Sequence, residues 1–200
     1  ERLSQGNNAL ALLANSLATG GALVALIVAF DEISGAHFNP IVTLACASQG
    51  EIDWADVPLY GVAQIMGAFL GVAAAHLMFG LPLFTASQHV RPGGAQVFSE
   101  AVATFGLISV IRGCARSRTS AAPFAIALYI VAAYWFTSST SFANPAVTLA
   151  RAATDTFSGI RPVDLPGFMA GQLIGGATAT ALFRWLWPPL PTRDQETYGK

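Results

Sequence analysis

Ser34-Gly35-Ala36-His37-Phe38-Asn39-Pro40-Ile41-Val42-Thr43-Leu44-Ala45 returns at an offset of 105 as Ser139-Thr140-Ser141-Phe142-Ala143-Asn144-Pro145-Ala146-Val147-Thr148-Leu149-Ala150, with seven of the twelve positions identical. A second block keeps the same order: Asp56-Val57-Pro58 followed by Gln64 matches Asp164-Leu165-Pro166 followed by Gln172 at an offset of 108. One Asn-Pro alone is an ordinary turn initiator. Two in a repeated frame mark an internal duplication. In each copy an apolar run leads into the Asn-Pro block, then a short helix-compatible stretch, an acidic turn, a proline at a helix start and another apolar run.

The composition around these blocks is that of a membrane protein. Hydrophobic residues make up 54% and charged residues 10% of the chain, with a mean hydropathy of +0.54, against roughly 25% charged in an average soluble domain. No Asp, Glu, Lys or Arg occurs at 3–30, 57–90, 119–150 or 165–183, and each window can hold a span of about 20 residues. A fifth stretch, 96–111, is apolar apart from Glu100, which must then be buried against protein.

The pattern predicts an all-α membrane protein with five full transmembrane helices, at 8–30, 57–79, 96–111, 121–137 and 165–187, plus two re-entrant half-helices starting at Pro40 and Pro145. It forms a single domain over 1–200, with a first repeat at 1–95, a second at 96–187 and a cytoplasmic tail at 188–200. The second copy has a whole span carrying Glu100 ahead of its block, so an equivalent first span is expected upstream of Glu1. Three spans per copy is an odd number, so the copies insert in opposite orientations, as an inverted repeat. Arg112, Arg116 and Arg118, between the spans at 96–111 and 121–137, place that loop and the tail in the cytoplasm.

Proline suits the first helical position, where an N–H would have no partner. Asn39 and Asn144 are then N-caps, each with a side-chain oxygen for the first turn and an amide NH2 left to donate into the space ahead. Half-helix N-termini carry about half an elementary charge each, and two of them facing one another repel cations. Irregular backbone such as 31–39 and 137–144 survives at membrane depth only when buried in protein or lining a water-filled cavity. The two blocks are therefore read as lining a pore.

These blocks resemble the two signature loops of the aquaporin, or major intrinsic protein, family, and the resemblance covers nearly the whole chain. It implies a passive channel for small uncharged solutes, with Asn39 and Asn144 as paired central donors and Pro40, Ile41, Pro145 and Ala146 starting the half-helices. It also implies that Glu100 braces a signature loop and that the assembly is a homotetramer in a lipid bilayer. Ile41 stands where the family usually has alanine, which would narrow or reshape the middle of the pore. Val147 stands where most members place arginine. The family's filter frame puts the remaining filter positions on Thr19, Ala132 and Ser141, so the ring has no aromatic or ionised member and should pass solutes larger than water. Such a set resembles a bacterial branch of aquaglyceroporins linked to arsenic resistance, which implies glycerol or undissociated arsenite as solute and a multi-pass location in a bacterial inner membrane. Arg151, one turn beyond Val147, is a candidate to replace the missing charge, but its distance from the helix start favours packing of the half-helix or exposure at the surface.

A secondary transporter also uses inverted repeats and broken helices, but coupling needs titratable groups near the midplane. Within the apolar windows these are Glu100, His76 and Arg184, with Asp31 and Glu32 at a span end, and no carboxylate pair stands out. A water-selective or non-conducting homologue is the other alternative. No nucleophile elbow, phosphate loop or HExxH is present, so the chain is not read as an enzyme, and no cofactor or metal is implied. His37, His76 and His89 lack a triad-like context, and His37 is expected to order its loop or line the pore. Cys46 and Cys114 lack ligand spacing and are read as buried or interfacial thiols. A net charge of −1 gives no footprint for nucleic acid.

Overall fold

The structure is a computed structural model that describes residues 2–115 and 119–187. The expected tail at 188–200, and Arg116 and Arg118 of the loop expected in the cytoplasm, lie outside the described residues. Among the described residues seven α-helices follow one another: α1 (Asn8–Ser34), α2 (Pro40–Ser48), α3 (Val57–Phe79), α4 (Gly94–Ala115), α5 (Ala122–Phe136), α6 (Pro145–Arg151) and α7 (Leu165–Leu186). The short helices α2 and α6 start at the two Asn-Pro blocks. The five long ones fall on the five expected spans.

Local chemistry sets the ends. Asn7 caps α1 by accepting from the Leu10 N–H at 3.1 Å. Gly35 closes α1 in a left-handed conformation, φ 68°, with its N–H on the Asp31 carbonyl, so the helix runs four residues past the expected 30. Gly80 closes α3 the same way. Prolines sit in the first turns of α3, α5 and α7, where a missing N–H costs nothing.

Among the described residues four segments are long and apolar enough to cross a membrane: Asn8–Ser34, Val57–Phe79, Gly94–Ala115 and Thr119–Phe136. Their outer faces are apolar and exposed, as at Leu59, Leu70, Leu77, Leu128 and Met78. A water-soluble protein does not leave so much apolar surface bare; acyl chains tolerate it. The fifth long helix, α7, has 22 residues, about 33 Å at helical rise, with Arg184 in its last turn.

Packing places the half-helices at the centre. α4 lies along α7 and α1 along α5, while α2 and α6 each touch both α3 and α7. The α4–α7 seam depends on glycine: a Cβ added at Gly171 or Gly175 would run into the Val97 or Ala101 carbonyl of α4. The matching face of α3 is open, and a Cβ at Gly67 or Gly71 meets nothing within 4 Å among the described residues. Polar ties hold the helix ends. Buried His76 at the end of α3 bonds the Pro82 carbonyl and the Thr154 hydroxyl, and Arg112 of α4 pairs with Glu51 and donates to the Cys46 thiol. Cys46 is buried and Cys114 half-buried, both free.

The seam yields a stability prediction. Gly175→Ala pushes a methyl into the backbone of Ala101 and should cost about 1–3 kcal/mol, seen as a lower thermal midpoint of the detergent-solubilised protein. Gly113→Ala, whose Cβ would meet nothing within 4 Å, should leave the midpoint unchanged or raise it.

Candidate functional site: a pore between two half-helices

The N-termini of α2 and α6 meet. The Asn39 side-chain oxygen caps the Ile41 N–H at 2.9 Å, and the Asn144 oxygen caps Ala146 and Val147 at 3.0 and 3.3 Å. Each amide NH2 then crosses to the other loop, Asn39 Nδ2 to the Ala143 carbonyl at 2.7 Å and Asn144 Nδ2 to the Phe38 carbonyl at 2.8 Å. The sequence reading left these NH2 groups free; the structure spends one N–H of each on the opposite loop. An amide NH2 has two hydrogens, so one per asparagine remains.

The duplication extends to backbone geometry. Gly35, Ala36 and Phe38 have positive φ, and so do Thr140, Ser141 and Ala143, the same three positions at the offset of 105. Five of these six are not glycine, and such conformations cost about 1–3 kcal/mol each unless their surroundings hold them. In the second loop the holding group is Glu100, fully buried on α4. Its two oxygens accept the N–H groups of Phe142 and Ala143 at 2.9 and 2.8 Å, and Gln172 donates to it at 2.6 Å. Gln172 also donates to Thr148 at 2.8 Å, and Gln64 donates to the equivalent Thr43 at 2.9 Å. His37 lies against Thr43 at 3.1 Å and packs on Tyr60, ordering the first loop.

A cavity of about 700 Å³ runs past both asparagines. From the expected set, Thr19, His37, Ser141 and Val147 border it along with Asn39 and Asn144. Ser141 brings a buried hydroxyl with no protein partner. The wall also includes Asp31, Cys46 and Glu51.

Three expectations are corrected. Ala132 is exposed and does not border the cavity; α5 presents Ile126, Ile130 and Tyr134 instead, one face at helical spacing. Tyr134 was missed, although that spacing was legible. Ile41 does not narrow the pore: its side chain turns away into a cluster with Ile108 and Ala179, against Gly176 of α7, where a Cβ would strike Ile41 Cγ2. Arg151 is half-buried and borders the cavity, with Nη2 donating to the Tyr134 hydroxyl at 3.1 Å. Arg91 was also passed over. It reaches from the α3–α4 loop to the carbonyls of Gly159, Ser139 and Phe157 at 2.8, 3.0 and 3.4 Å. Burial pulls its guanidinium down to about 10, so it stays charged at neutral pH while pinning the second loop.

Spans bracketing two half-helices that meet over a membrane-depth cavity define a membrane channel, and comparison with known proteins gives the family. The major intrinsic protein family matches residues 2–138. The chain is 54% identical over 183 residues to the aquaglyceroporin AqpS of Rhizobium meliloti, covering 92% of this chain and 78% of that protein. It is 30% identical over 195 residues to aquaporin Z of Bradyrhizobium diazoefficiens, covering 88% and 79%. It is also 40% identical over 104 residues to aquaporin NIP1-1 of Zea mays, covering 48% and 35%. The chain belongs to the major intrinsic protein family, a family of channels for small solutes, and is a multi-pass membrane protein.

Glu100→Ala tests the bracing of the second loop. It strips two buried N–H groups and the Gln172 amide of their acceptor, at about 1–3 kcal/mol for each group left unpaired. A large fall in thermal midpoint together with loss of solute flux is the expected outcome; Glu100→Gln, which keeps the shape and one acceptor oxygen, should fall between.

Proposed function

We propose that the chain is a passive channel for water together with glycerol-sized or metalloid solutes such as undissociated arsenite, and that it excludes protons and ions. One observation carries this reading: Val147, a neutral side chain, borders the cavity just above Asn144, where the family resemblance leads one to expect a cation. Thr19 and Ser141 also border the cavity, so three of the four expected filter positions present small or apolar, uncharged side chains to it, which favours solutes wider than water. The central donors are Asn39 and Asn144. A solute oxygen accepts their remaining N–H groups in passing, and the two helix ends set a positive potential that turns cations away. The name of the relative from Rhizobium meliloti, an aquaglyceroporin, supports the wider solute range.

The setting we propose is a bacterial inner membrane, in keeping with the bacterial relatives, with the protein as a homotetramer. Exposed apolar residues such as Leu17 and Val28 of α1 and Leu70 and Leu77 of α3 suit both lipid tails and sister subunits.

Reconstituted vesicles should be more permeable than empty ones to water, glycerol and arsenite, with flux independent of a proton or sodium gradient. Permeability to glycerol and arsenite no higher than that of empty vesicles would sink the wide-pore reading. Val147→Arg should cut glycerol and arsenite flux several-fold more than water flux; an equal loss for all three would remove Val147 from the filter.

A further inference from the structure

We propose that Arg151 supplies the fixed cation of this pore, one helical turn beyond Val147, in a ring with Tyr134 and Thr19 that hydrogen-bonds passing solute and turns cations back. The proposal rests on the channel reading above and deepens it.

Three helices converge on the ring. Arg151 ends α6, Tyr134 is on α5 and Thr19 on α1, and all three border the cavity. The Arg151 guanidinium donates to the Tyr134 hydroxyl at 3.1 Å, which lies 3.3 Å from the Thr19 hydroxyl. The guanidinium also stacks 4.2 Å over the Phe142 ring, a cation–π contact that holds the charge in place without neutralising it. Four residues beyond Val147 amounts to about 6 Å along the helix axis, so the charge is displaced along the pore rather than removed from it.

Among the described residues no carboxylate pairs with this charge. The ion pairs among the described residues are Arg112–Glu51 and Arg161–Asp164, and neither involves Arg151. A guanidinium has five N–H donors, and among the described residues the Tyr134 hydroxyl is the one protein acceptor that Arg151 meets. Arg91 differs in this respect. It also stacks on Phe142, at 4.8 Å, but its donors are taken by loop carbonyls and it is absent from the cavity wall. Of the two cations beside that ring, Arg151 is the one with N–H groups to spare for a solute.

The chemistry around the ring suits a neutral hydroxylated solute. Arg151 donates, while the unpartnered Ser141 hydroxyl can donate or accept. Val147, next on the same helix, offers an apolar wall for a carbon skeleton. A cation meets the guanidinium first and the two half-helix ends after it.

The experiment compares full-length wild type with Arg151→Leu, Arg151→Lys and Tyr134→Phe in vesicles, measuring sodium, water and glycerol permeability per inserted protein. Arg151→Leu should raise the sodium-to-glycerol permeability ratio at least about tenfold, as expected for deleting a unit charge within one helical turn of the path. Arg151→Lys should keep sodium out but change the glycerol-to-water ratio, because an ammonium cannot hold the same fork of donors. Tyr134→Phe should also keep sodium out and shift that ratio, and it reports on the ring even if Arg151→Leu fails to insert. Wild type that passes glycerol, with Arg151→Leu as tight to sodium as wild type or Tyr134→Phe unaltered in its glycerol-to-water ratio, overturns the proposal. Wild type that passes no glycerol overturns the channel reading instead.

Discussion

Two asparagine side chains hold the centre of this protein together, each capping its own half-helix and donating across to the carbonyl just before the other. Polar backbone that faces protein or acyl chains at membrane depth has no water to fall back on, and an unpaired group there costs several kcal/mol. The loops before Pro40 and Pro145 therefore need partners that a regular helix would have found internally. A side chain with an acceptor and a donor on one short stem meets both needs, which is why the amide of asparagine suits this place and a carboxylate does not.

The loops pay for this meeting in backbone strain, and the packing around them holds it. The same three positions in each copy are left-handed. Glu100 clamps the second loop through two N–H groups, and Arg91 ties down its outer flank. The Gln64–Thr43 and Gln172–Thr148 pairs anchor the half-helices to α3 and α7 in the same way. Where the copies differ, the neighbours differ to match. Bulky Ile41 is received by Gly176, whereas its counterpart Ala146 borders a groove together with Ala68. The duplicated frame is thus preserved while side-chain volumes drift.

Charge in the pore shows the same separation of frame from detail. The two helix ends provide a positive centre that follows from backbone geometry alone. The side-chain cation is a separate feature, and Phe142, Tyr134 and Thr19 together fix where it stands. A residue absent from one helical position can have its chemistry supplied one turn along the same helix, because positions three and four apart share a face.

By itself the sequence determined the spans, the half-helices, their caps and the burial of Glu100. Those features follow from apolar run length, proline and asparagine chemistry, and the cost of a lone carboxylate in a membrane. It also determined the duplication, which carried the meeting of Asn39 and Asn144. Only the tertiary structure decided which face of each helix meets the cavity. A helix turns about 100° per residue, so counting two positions from Ala132 to Tyr134 moves a side chain from the outer surface to the pore, and no frame counted along the chain fixes that rotation. Ile41 and Arg151 were misplaced for the same reason. One turns towards a glycine on α7 and the other towards a tyrosine on α5, partners more than a hundred residues away in the first case and brought alongside in the second only when α5 and α6 fold back on each other.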